Sequence, residues 1–196
     1  MNEQINKIID NIRELEDQLR TLLYEQQTSF SYKIAGKRVE FEQSIRQAHK
    51  KLKAGWFYWL LTSSLKHLLS IPFIYGLLIP FIILDIGVSI YQSICFRLYG
   101  IARVKRSEHM FFDHRHLAYL NLFEKLNCLY CSYANGVISF AREVAACTEQ
   151  YWCPIKHAHK MLNVHSRYAD FLDYGDAENY QQRMSEARSA IQKVNS

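Results

Sequence analysis

The chain carries none of the short words that announce common enzyme chemistry: no P-loop, no G-x-G-x-x-G, no G-x-S-x-G and no H-E-x-x-H. A Cys–His nucleophile pair needs no fixed spacing, but nothing here argues for one. Glu124 is followed three residues later by Asn127 and Glu143 by Ala146, so the E-x-x-H of di-iron bundles is missing as well. The N-terminus is polar and mixed in charge, which argues against a cleavable signal peptide. Cysteine is scarce and odd in number, at five. Without a secretory signal, such residues read as metal or redox groups rather than a disulfide framework. There is no internal repeat, no low-complexity tract and no strand–helix alternation. An RNP-like motif and a long basic helix are also wanting. A nucleic-acid partner is therefore not expected, despite a net charge of +5.

What is present starts with 196 residues, 49% of them hydrophobic, at a mean hydropathy of −0.20. That describes one or two small units, not a polytopic transporter. The apolar residues are concentrated between Ala54 and Ile101. Leu68 to Leu84 is uncharged and mostly Leu, Ile and Phe, interrupted by Pro72, Gly76 and Pro80. Roughly 20 apolar residues cross a bilayer as a helix. Trp56, Phe57, Tyr58 and Trp59 precede the run, and such aromatics favour the headgroup level. The stretch reads as membrane-embedded; the plainer alternative is a buried core helix.

Two charges constrain the path. A mid-bilayer Lys or Asp costs about 2.5–3.5 kcal/mol, while each Leu, Ile or Phe returns about 0.3–0.6. Lys66 and Asp85 flank Tyr75–Gly76 symmetrically, so a fold-back there predicts a neutralising Lys66–Asp85 pair. Lys50, Lys51 and Lys53 precede the stretch, and Arg97, Arg103, Lys105 and Arg106 follow it. Positive residues mark cytoplasmic ends. The leading expectation is a helical hairpin with both ends on the cytoplasmic side of a bacterial inner membrane. A single crossing at about 71–94, preceded by an interfacial helix at 54–69, is the alternative. The basic linker ARVKRSEHM at the membrane edge points to anionic inner-leaflet lipid as a partner.

Ile5, Ile8, Ile12, Leu15, Leu19 and Leu22 alternate at three and four residues, an a/d seam. The pattern resumes with Ile34, Phe41, Ile45, Ala48 and Leu52. Residues 1–53 are thus expected as a helical hairpin or as a coil that pairs copies of the chain through residues 5–22. Gly36 weakens the second helix near its start. Asn135–Gly136 is a turn signal between helical patterns at about 114–133 and 137–151. Residues 102–160 then form a small helical unit, and residues 161–196 a tail ending in a polar helix capped by Asp176. The fold class is all-α.

The segments HLAYLNLFEKLNCLYCSYANGVISFAREV and TEQYWCPIKHA resemble a family of uncharacterised bacterial integral membrane proteins, as does IPFIYGLLIPFIILDIGVSIYQSICFRLYGI. That resemblance covers about half the chain and implies membrane association; it implies no reaction.

Cys128 and Cys131 share a helical face with Glu124, and Cys153 and His157 are four apart. A turn at Asn135–Gly136 would bring the two pairs together. Thiolates with one imidazole select zinc in a tetrahedral site, with an iron–sulfur cluster as the alternative. His116, Glu124 and Glu149 are the candidates for an outer shell or for proton transfer. The competing readings are buried Cys as small hydrophobes and a Cys128–Cys131 dithiol. Cys95 and Cys147 read as packing residues. Three functions follow: a membrane-anchored, metal-binding protein of accessory type; a membrane-surface enzyme or redox carrier; and a coiled-coil membrane scaffold without a metal site.

Overall fold

The computed structural model describes residues 3–29, 32–35, 38–41, 43–53, 65–162, 164–178 and 180–192. The aromatic group Trp56–Trp59 and Gly36 lie outside them. The chain is all-α apart from one short β-ribbon, and it divides into two compact units.

The first unit comprises residues 1–62 and 113–126. Its α1 spans Glu3–Ser29, as the seam predicts. The second helix is shorter than expected. Tyr32–Ala35 (β1) and Arg38–Phe41 (β2) pair antiparallel in the register Tyr32↔Phe41 and Ile34↔Val39, and only Gln43–Lys51 (α2) is helical. Ile34, Val39 and Phe41 are β-branched or aromatic and sit on either side of Gly36, which suits a strand pair better than a helix.

The second unit comprises residues 63–112 and 127–196. Its leading element, α3, runs from Leu65 to Tyr99 without reversing. Pro80 offers no N–H to the Gly76 carbonyl, and the helix only loosens there. The Leu77 N–H is shared between Phe73 O at 3.4 Å and Ile74 O at 3.3 Å, and Leu77 itself stays helical. A fold-back at Tyr75–Gly76 would need non-helical backbone. Among the described residues, the glycines with positive φ are Gly100 and Gly175. The true reversal is at Gly100, whose left-handed conformation (φ 69°) ends α3.

Beyond Gly100 the chain returns along α3 as an irregular strap, residues 101–112, before α4 (Leu122–Trp152). The expected turn at Asn135–Gly136 does not form, and α4 is unbroken through it. Asn135 Nδ2 donates to Cys131 O at 2.9 Å, a bond within the helix. Gly136 is buried because the strap lies against it; a Cβ there would stand 2.8 Å from Met110 Cγ and 3.1 Å from His109 O. The glycine serves a close approach, not a turn.

From Asn127 onward α4 runs in the same direction as α3. Tyr75 bonds to Asn127, Asp85 to Tyr133 and Tyr91 to Thr148, while the Tyr99 ring stacks on Tyr151 at 4.9 Å. The core between them holds Phe96, Ile101, Phe140, Val144, Cys147 and Ile191. The polar terminal helix, α5 (Tyr180–Gln192), caps both partners. Arg188 Nε donates to Tyr151 O at 2.8 Å and Gln192 Nε2 to Tyr99 O at 2.7 Å. Both satisfy carbonyls that helix ends leave open.

Candidate functional site

One helix, α3, is long and apolar enough to cross a membrane, with a mean hydropathy of 2.2 over a window only 6% buried. A core helix of a soluble domain would be mostly covered. Leu69, Phe73, Ile79, Ile83, Ile86, Ile90, Ile94 and Leu98 are all more than half exposed. At 100° per residue they fall within an arc of roughly 140°. Its N-terminal half is bare on other sides too, at Ile71, Ile74 and Leu77.

The opposite face of α3 is a polar seam, and Asp85 is its centre. Only 6% exposed, its Oδ2 accepts from Arg106 Nη2 at 2.7 Å and from the Tyr133 hydroxyl at 3.0 Å. Burial, then the hydrogen bond and the charge of Asp85, push the Tyr133 phenol above its ordinary value, against the pull of Arg106. The other carboxylate oxygen, Oδ1, and the nearby Ser89 Oγ are buried without a partner among the described residues. The expected partner of Asp85 was Lys66. On a helix that does not fold back, the two are separated by about 28 Å, and Arg106 supplies the countercharge instead. The strap delivers it, and nothing in the local sequence around Asp85 signals that.

Seven residues further along, α3 widens into a π-turn over Gln92–Phe96. Such bulges present side chains that a regular helix would misdirect. The buried Gln92 holds the strap by both of its amide atoms: Val104 N donates to Oε1 at 3.0 Å, and Nε2 donates to Val104 O at 3.2 Å. Next to it, Arg103 donates to the Ser93 hydroxyl.

The proposed metal ligands are not brought together. Cys128 and Cys131 lie in the first half of α4, and Cys153 follows its last turn. An uninterrupted helix separates Cys131 from Cys153 by about 33 Å. His157 is on an exposed extended segment past Pro154, where its ring stacks on Tyr168. Among the described residues, no group of three His, Cys, Asp or Glu side chains is placed to hold a metal ion. The missing turn at Asn135–Gly136 is the physical reason.

The outer candidates have structural partners. Glu124 Oε2 accepts from Asn121 N at 2.7 Å while Asn121 Oδ1 accepts from Glu124 N at 2.9 Å, a reciprocal cap on α4. Glu149 Oε2 lies 3.0 Å from His165 Nε2, and His116 Nε2 accepts from Arg115 at 3.3 Å. The Cys147 thiol is buried 3.8 Å from Glu143. Burial pushes it up to about 11, opposed by Arg167 and assisted by Glu143. It is a packing residue, as its sequence context suggests.

Comparison with protein-family models, with curated proteins and with solved structures returned no match to this chain.

Proposed function

We propose that this chain is a membrane-embedded helical scaffold, held in lipid by the exposed face of α3. The observation that carries this reading is the stripe from Leu69 to Leu98, apolar and bare over its whole length. Monomeric soluble proteins rarely leave an apolar patch beyond a few hundred Å² uncovered. Covering each half-exposed Leu, Ile or Phe with acyl chains returns on the order of 1 kcal/mol, which summed along the stripe gives stable attachment.

The strap decides how α3 sits. Lys105 and Glu108 on it are 76% and 64% exposed. Dragging exposed charges through hydrocarbon costs about 2.5–3.5 kcal/mol each. Immersion of the stripe alone, with the strap turned to headgroups and water, avoids that cost. In this reading neither end of α3 has to cross, which suits the basic residues on both sides of the apolar stretch. The Asp85–Arg106 pair then fixes the strap to the helix on the side away from lipid.

The bare seam of α1 supports the scaffold part of the proposal. Ile12, Leu15, Leu19 and Leu22 are 50–63% exposed. An uncovered a/d seam needs a facing helix to bury it, and the central pair, Ile12 then Leu15, has the β-branched-then-leucine order of a two-stranded coil, so a second copy is the partner proposed. Extraction of membranes with alkaline carbonate tests the anchor: the wild-type chain stays in the pellet, and I83E/I90E moves to the supernatant. Wild-type protein in the supernatant would remove the proposal. Light scattering of the detergent-solubilised chain tests the seam, with L15E/L19E expected to halve the mass.

A further inference from the structure

A cleft of about 410 Å³ lies between the strap, α4, the turn at Ser166–Asp170 and α5. Arg103, Lys105, His109 and Arg167 face it, against Glu108 and Glu143. The charges are unevenly satisfied. Arg167 is bound to Glu143 at 2.9 Å and to Gln150, and Lys105 stands 3.7 Å from Glu108. Arg103 has no carboxylate partner among the described residues; its guanidinium is held by the neutral hydroxyl of Ser93, which itself donates to Ser89 O at 2.7 Å. A cation fixed by a neutral group keeps its remaining N–H donors and its charge for an anion.

Its place is as informative as its charge. Ser93 borders the lipid-facing stripe, three residues from Ile90 and one from Ile94. On the next turn, four residues from Ser93, stands the exposed Arg97. The buried Cys147 at the cleft stays a neutral thiol near pH 7, so it does not oppose an anion. A cationic corner beside an uncovered apolar face matches an amphiphile, with the phosphate on the cations and an acyl chain along Ile90 and Ile94.

We propose that Arg103, with Arg97 and Lys105, binds the phosphate of an anionic phospholipid at the edge of the α3 stripe. This rests on the membrane reading above. It adds a defined headgroup site to a general attraction for anionic lipid.

The test uses the full chain solubilised in detergent and reconstituted in nanodiscs, read by native mass spectrometry for retained phosphatidylglycerol against phosphatidylcholine. Phosphatidylglycerol retention should fall about 30-fold in R97Q/R103Q and about fivefold in R97Q, as expected for losing surface attraction to anionic lipid one cation at a time. R103K should retain most of it, and K160Q, which removes an exposed charge elsewhere, should change nothing. The R97Q side chain touches little, so it reports on binding even where R103Q disturbs the fold. Equal retention in R97Q/R103Q and wild type overturns the site, as does an equal loss in K160Q. Inorganic phosphate that binds as tightly as the lipid and displaces it would instead assign the cleft to free phosphate, which also overturns the proposal. Failure of the membrane reading is a separate result, wild-type chain in the carbonate supernatant.

Discussion

Arg106 Nη2 and Asp85 Oδ2 lie 2.7 Å apart, joining the strap to the buried face of the apolar helix. Arg106 is 47% exposed and Asp85 nearly covered, so the two substitutions are not equivalent. Removing Arg106 strands a buried carboxylate. R106A should destabilise the chain by about 2–3 kcal/mol, below the range for fully buried pairs because half of the arginine is solvated. D85L/R106M should recover most of that loss, since an apolar pair of similar volume needs no countercharge. Thermal unfolding in detergent measures both; an R106A variant as stable as wild type would show that the pair does not hold the strap.

Two of the helical glycines in the α3–α4 pair, Gly87 and Gly136, predict opposite signs. Alanine in place of glycine inside a helix normally gains up to about 1 kcal/mol. Gly87 has open space around it, so G87A should not destabilise. At Gly136 the new methyl would meet the strap backbone, 3.1 Å from His109 O. G136A should therefore cost about 1–3 kcal/mol by overpacking. A melting comparison of the two variants checks the contact directly.

Much of this architecture was legible in the sequence, and the part that was not has one cause. The seam of α1, the apolarity of α3, the polar C-terminal helix and the all-α class follow from periodicity and composition, which are local. The reversals did not. Pro72, Gly76 and Pro80 look like a turn, yet the helix continues through all three. Asn135–Gly136 looks like another, yet the strap needs a residue without a Cβ inside α4. Gly100 carries the actual reversal. Once the turns are misplaced, every inferred pairing across them changes: Asp85 meets Arg106 instead of Lys66, and Cys131 lies far from Cys153. Glu124 was legible in another sense. The Asn121-x-x-Glu124 spacing is a capping box, and the reciprocal bonds of Asn121 and Glu124 account for this carboxylate at the start of α4.

Thiol reactivity separates the cysteines. Cys153 is exposed and Cys147 is 3% exposed with its thiol pushed up to about 11. At pH 7.5 a maleimide should modify Cys153 within minutes and leave Cys147 untouched until the protein is unfolded. Peptide mapping reads both sites. Rapid modification of Cys147 in the folded chain would contradict the packing around Val144 and Ile191.

A small acid-sensitive contribution is expected where Lys156 Nζ sits 2.8 Å from Asp173 Oδ1. The hydrogen bond and charge of Lys156 hold the Asp173 carboxyl below its ordinary value. A lowered folded-state pKa contributes stability above the unfolded value and loses it as pH falls through the folded one. Asp173 is 82% exposed, so the pair is worth less than about 1 kcal/mol. K156M should melt slightly below wild type at neutral pH, with the gap closing as Asp173 is protonated in acid. A gap that persists in acid would assign the loss to packing.

Depth measurement by spin-label power saturation, in membranes, shows whether the bare face of α3 lies in lipid. Labels at Ile83, Ile90 and Lys105, each in a background without reactive cysteine, report contact with oxygen in lipid or with a water-soluble nickel chelate. Oxygen accessibility is expected at Ile83 and Ile90, and nickel accessibility at Lys105. Nickel accessibility at Ile83 and Ile90 would show that the bare face of α3 does not lie in lipid, and would contradict it.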